Sequence, residues 1–182
     1  MADFDDFAKS LFEEAKRFWE KGRDSAGDVQ AAYFHAAVTL GFSALEAHVN
    51  AIAEEMSLRK ELTINDLSIL LERESVLTNG EFKLGTLKIY RLQDRIEYLL
   101  TRFSRRPIDK TSSQWLTTWS SFSAAAKLRN SLIHPKEPTA LDAAAVQRAL
   151  TAILGILQLL YQSVYRSKYP GHGRGLDSVM NF

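Results

Sequence analysis

The sequence predicts an all-α fold, one helical bundle, on three observations. Apolar side chains recur at three- and four-residue intervals along most of the chain, strand signals are scarce, and capping residues or glycine and proline breaks separate the periodic stretches. At 182 residues, 46% apolar and 25% charged, the chain is long enough for one domain with a buried core and short for two.

The elements follow in order. Phe7, Leu11, Ala15 and Phe18 mark a first helix over 3–22, closed by the break from Gly22 to Gly27. Asp28 can cap a long second helix to about Ser57, along which Phe42, Leu45, Val49, Ile52 and Met56 keep helical spacing. Thr63 with Asp66 reads as a capping box for a short helix through Leu77, after which Asn79-Gly80 punctuates the chain. Ile89, Leu92, Ile96, Leu99 and Phe103 give an amphipathic helix ended by Arg105-Arg106-Pro107. Thr111 and Gln114 form a cleaner capping box, since the hydroxyl and the amide can each satisfy an orphan backbone N–H. The helix they open carries Trp115, Trp119, Phe122 and Ala126 on one face and should stop near Ile133, because Pro135 pushes the residue before it out of helical geometry. Pro138, Thr139 and Asp142 start a last helix that runs to about Lys168 and is apolar over much of its circumference, which suits the inside of a bundle. From Pro170 the chain is glycine-rich and expected to be mobile. With no internal repeat and no linker, 1–182 reads as one domain.

Composition narrows the chemistry. There are no cysteines, so disulfides, thiolate metal sites and cysteine nucleophiles are out, and a cytoplasmic setting is the expectation. The acidic start, Met1-Ala-Asp-Phe-Asp-Asp, does not read as a secretory signal. The segment from Ala143 to Tyr161 is interrupted by Gln147, Arg148, Thr151 and Gln158, whereas a membrane span wants about 20 nearly uninterrupted apolar residues. Net charge is +1 but uneven, with eleven basic and four acidic side chains over 101–182. That half can offer an anionic ligand a positive field, or be a solvated set of cations. His35, His48 and His172 keep no metal-ligand spacing, Gly171-His-Gly-Arg-Gly175 lacks the lysine and hydroxyl of a phosphate-binding loop, and neither a metal nor a cofactor is expected. Trp115 and Trp119, at helical spacing, suit core or dimer interface better than base stacking.

One stretch breaks its own pattern. The Trp115, Trp119, Phe122, Ala126 stripe calls for apolar residues at 129, 130 and 133, and two of those positions hold Arg129 and Asn130. His134 follows Asn130 by one turn, while five residues separate it from Arg129, about 140° on a straight helix. Arg129 and His134 converge only if His134 lies on the distorted end that Pro135 imposes. A cation, an amide and an imidazole thus gather where a helix should bury apolar surface.

Leu128-Arg-Asn-Ser-Leu-Ile-His-Pro135 resembles the Arg-x(4–6)-His signature of the HEPN superfamily, in its Arg-Asn-x-x-x-His form. Phe42-Ser-Ala-Leu-Glu-Ala-His-Val-Asn50 resembles the helix of that family that often turns a polar residue toward the motif. The likeness covers about 28–168 and leaves the N-terminal helix and the tail outside the core. It implies a helical bundle with a four-helix core, dimerised so that two motifs face one cleft. It further implies metal-independent RNA cleavage in active members, many of them toxins or antiphage effectors with a protein partner such as an antitoxin, and a binding module in inactive ones. In that scheme His134 moves the proton of a 2′-hydroxyl, Arg129 holds phosphate oxygens, and Asn130 orients the imidazole or holds phosphate. Glu46, at the edge of the apolar stripe, either supports Arg129, assists proton transfer or forms a plain partly buried salt bridge. Lys127 and Asn50 are further candidates for contact with RNA. Each of Arg129 and His134 also has an ordinary structural use at a helix end.

Overall fold

The computed structural model describes residues 2–137 and 140–182, with side chains from Asp6 onward. It is mostly helical: α1 (Ala2–Arg23), α2 (Gly27–Ser57), α3 (Ile64–Leu70), a hairpin of β1 (Arg73–Thr78) and β2 (Glu81–Leu87), α4 (Leu92–Phe103), α5 (Ser113–Ile133) and α6 (Ala143–Leu160). Pro138 and Thr139, expected to open the last helix, lie outside the described residues.

Two long apolar helices make the centre. α2 buries Phe34, Phe42, Leu45, Val49 and Ile52, and α6 buries Val146, Leu150, Ile153, Ile156 and Leu157. By length and composition Gly27–Ser57 and Ala143–Tyr165 could cross a membrane, but 61% and 56% of their apolar windows are buried inside the bundle. They cross closely at Gly41, where an added Cβ would come within 2.8 Å of Leu150 Cδ2 and 3.1 Å of Ile153 Cδ1. α1 runs along α2, α5 runs along α6, and α4 packs across α2 and α6.

The N-terminal helix is part of this core rather than an addition to it. Its Phe12, Ala15 and Trp19 are buried with α2 and α6 residues in one cluster. Asp28 sits inside the first turn of α2, where a carboxylate complements the helix dipole, and Ala26 occupies the cap position. The Thr63–Asp66 capping box forms: Asp66 N–H donates to Thr63 Oγ1 (3.2 Å) and Thr63 N–H to Asp66 Oδ2 (2.8 Å). The second expected box does not. Ser112, not Thr111, caps α5 by accepting from Trp115 N–H at 3.3 Å, because Thr111 is held by Asp109 through both its N–H and its hydroxyl.

The expected helix through Leu77 ends at Leu70, and the chain turns into an antiparallel hairpin. Thr78 pairs with Glu81 around Asn79-Gly80, both at positive φ (54° and 83°), the backbone of a two-residue turn whose twist suits strands. The last helix also stops early, at Leu160, and continues as a π-turn over Tyr161–Tyr165 that closes on Arg166 at φ 57°. The tail, expected to be mobile, is laid back on α1. Lys16 Nζ donates to Asp177 O (2.8 Å), Ser178 N–H to Glu20 (2.8 Å), Val179 N–H to Glu13 (3.0 Å) and Arg17 Nε to Phe182 O (2.9 Å), while Tyr169 is buried against Phe12. Backbone groups tied by side chains from another helix cost nothing in lost hydrogen bonds, and that offsets the glycine-rich entropy.

Candidate functional site

The helix α5 turns Trp115, Phe122 and Ala125 into the core, with Trp115 stacked on Trp119 at 5.0 Å and Phe122 on Phe42 at 6.2 Å. The stripe is therefore consumed inside one chain. Arg129 follows it on the last turns, half-buried, and reaches α2. Its Nη2 lies 3.4 Å from Glu46 Oε1, and its Nη1 donates to Asn130 Oδ1 at 3.3 Å. Glu46 and Arg129, 83 positions apart, thus meet across the groove between α2 and α5. Both side chains keep water contact (44% and 30% exposed), so this pair contributes little to stability, about 1 kcal/mol or less. Geometry, not stability, is what it supplies.

α5 ends as Pro135 requires. His134 caps it with φ −123° and ψ 64°, its N–H donating to Asn130 O at 2.9 Å. The His134 ring is exposed and makes no hydrogen bond or ion pair among the described residues. Backbone places it one turn past Asn130, at the end of α5, and its ring does not join the Arg129–Glu46 hydrogen bonds. Lys127 is exposed on another side of α5, about 200° from Arg129, and is not brought to the cluster.

Asn50 is engaged elsewhere. Its Oδ1 accepts from Arg95 Nη1 at 2.6 Å, and the same guanidinium meets Glu72 Oε2 at 3.0 Å and donates through Nη2 to Leu70 O at 3.2 Å. Arg95 is a neighbour of the candidate site that the sequence did not single out. It sits on the buried face of α4 between Leu92 and Leu99, where helical spacing asks for an apolar residue, and that conflict was its signal. Burial draws the Arg95 guanidinium below its usual pKa, opposed by the Glu72 and then the Glu46 carboxylate. It remains cationic, as arginine does. The Glu46 carboxylate thus pairs with Arg129 on α5 and is felt by the buried Arg95 on α4. Glu72, in turn, holds Tyr90 N–H at 3.2 Å and so ties the base of the hairpin to this ion network.

An open groove of about 790 Å³ lies between α5 and α6. Its α5 side carries mostly small residues such as Thr117, Ser121 and Ala124 with Leu128, and its α6 side carries Ala145 and Ala152 together with Gln147 and Arg148. Small side chains let a further helix approach two backbones closely. Among the described residues, no three His, Asp or Glu side chains are grouped so as to hold a metal ion.

No family model, no curated protein and no solved structure matches this chain. The residues and their arrangement are what any functional reading rests on.

Proposed function

We propose that the chain is a HEPN-like, RNA-cleaving protein that works as a homodimer, with Arg129, Asn130 and His134 as its reactive set and Glu46 beside them. The observation that carries the reading is the meeting of Arg129 with Glu46 across α2 and α5, at the helix end that exposes His134. In this mechanism a neutral His134 imidazole takes the proton from a ribose 2′-hydroxyl as its oxygen attacks the adjacent phosphorus. The Arg129 guanidinium shifts from Glu46 to the non-bridging phosphate oxygens as attack builds a second negative charge there, beyond that of one carboxylate. The 5′-oxygen leaves with a proton from a second imidazole, and the products are a 2′,3′-cyclic phosphate and a 5′-hydroxyl. One chain supplies one such imidazole, and a two-fold axis beside the motif repeats it. The open α5–α6 groove that Leu128 lines offers a surface for that contact, and the buried Trp115 and Phe122 do not. This moves the expected dimer surface from the tryptophan stripe to the α5–α6 face.

A second reading has its own observation. Among the described residues the His134 ring has no hydrogen-bonded partner to orient it, and Arg129 is already paired, which suits a site that binds RNA, a nucleotide or a protein partner without turning it over. RNA incubated with wild type and with His134→Ala, in a chelator, separates the two. Cleavage by the wild type alone supports the ribonuclease. Binding by both without cleavage selects the binding module.

A further inference from the structure

Away from Arg129, three arginines are gathered in one place with no acid among them. Arg105 and Arg106 follow α4, and Arg166 closes the π-turn after α6. All three line a pocket of about 460 Å³, together with Ser104, Gln162 and Ser163. The two segments are tied by Arg105 N–H donating to Ser163 O at 3.3 Å, and Ser104 Oγ donates to Arg106 O at 2.6 Å, which fixes the loop. Arg166 is held at φ 57°, a conformation unfavourable for a residue with a Cβ, by its N–H donating to Gln162 O at 3.2 Å. None of the three guanidiniums enters an ion pair or a side-chain hydrogen bond among the described residues. By contrast, Arg91, Arg95, Arg102, Arg129 and Arg174 all meet carboxylates.

Three like charges held together repel one another, and an anion relieves that repulsion. Guanidinium groups match tetrahedral oxyanions by paired N–H donation. Ile108 and Gln162 also border a neighbouring pocket of about 570 Å³, which carries Gln114, Lys168 and His172. Asp109 also borders that second pocket, but its carboxylate is turned into its own loop, accepting from Thr111 N–H (2.9 Å) and Oγ1 (2.6 Å). Lys168 and Asp109 offset one another there, so the unbalanced positive charge belongs to the three-arginine pocket itself. Gln114 and Arg129 are 15 residues apart on α5, about 22 Å, so this is a separate place on the molecule.

We infer that the pocket of Arg105, Arg106 and Arg166 is a phosphate-binding site, suited to the phosphodiester backbone of a single-stranded polynucleotide or to a free phosphate. It does not require the Arg129 and His134 cluster to be catalytic.

The test uses the full chain with all three arginines changed to Gln, which keeps length and polarity at exposed positions. The first arm measures binding of a fluorescent 2′-O-methyl RNA, which cannot undergo 2′-hydroxyl attack, across a salt series. The second follows line broadening of inorganic phosphate by phosphorus NMR. A triple variant of Lys21→Gln, Lys60→Gln and Lys88→Gln controls for net charge. A polynucleotide site predicts at least tenfold weaker RNA binding in the arginine variant alone, with the log K against log salt slope smaller by about 2, since each single-strand phosphate contact contributes about 0.7. A site for free phosphate predicts unchanged RNA binding with phosphate broadening lost in the arginine variant alone. Equal losses in the lysine control, or no loss in either arm, overturn the assignment.

Discussion

Arg129 and His134 stand at the surface end of α5, where a cation and an imidazole are not needed for packing. Neither is fully buried, and the core of α5 is filled by Trp115, Phe122 and Ala125. Arg129 is only half-buried and His134 is exposed, so truncating them opens no large cavity, and Arg129→Ala and His134→Ala should melt within about 2 °C of wild type while RNA cleavage falls by about 10²-fold or more. Thermal denaturation alongside a rate assay checks both halves, and wild-type rates in both variants would show that the site is misassigned. Arg95 behaves oppositely. Its guanidinium is almost wholly enclosed and balances Glu72, so Arg95→Ala leaves an acid without its cation and a void beside Asn50. The expected loss is about 3 kcal/mol, read by urea denaturation. The motif residues were legible in the sequence because they broke an apolar stripe. Arg95 broke one in the same way, between Leu92 and Leu99, but had no recognisable motif around it.

At the scale of elements, the long helices were legible because their periodicity runs over many turns, and the short pieces were not. The helix expected through Leu77 gave way to strands because only seven residues follow the Thr63 cap before the chain turns, and Asn79-Gly80 dictates a hairpin rather than mere punctuation. Gly80 sits at φ 83° with no atom near a potential Cβ, so Gly80→Val loses by backbone conformation alone. Hydrogen exchange should show faster opening of Arg73–Leu87 in that variant with the α2 and α6 amides unchanged. Unchanged hairpin protection would contradict the turn assignment. The α3 cap carries a pH signature. A hydrogen bond from Tyr98, then those from Thr63 N–H, the Thr63 hydroxyl and Arg102, hold the Asp66 carboxyl well below its ordinary value. A depressed folded pKa means that the unfolded chain binds more protons, so the stabilisation is full above about pH 4 and is lost as pH falls below it. Asp66→Asn should therefore flatten the acid limb of a stability profile and leave its slope near neutral pH alone.

The whole molecule carries two arginine centres, one on the last turns of α5 paired with Glu46 and one where the segments after α4 and α6 meet, without an ion pair among the described residues. The N-terminal helix and the tail, which the sequence left outside the core, close over one another through Lys16, Glu13 and Arg17. Those are side-chain to backbone bonds between segments more than 160 residues apart, and no periodicity encodes them. Assembly is the remaining expectation at this scale. If the α5–α6 groove seats a second copy, Ala124→Arg should convert a dimer at micromolar concentration, measured by light scattering, to a monomer, and cleavage should fall with it. A wild-type monomer at full activity would rule out a shared cleft. The most direct measurement of all is the chemistry of the ends. Short RNA incubated with the wild-type protein in EDTA should yield fragments carrying a 2′,3′-cyclic phosphate and a 5′-hydroxyl, and none with His134→Ala. Fragments bearing a 3′-hydroxyl and a 5′-phosphate, or equal yields from the variant, would contradict 2′-hydroxyl attack at this site.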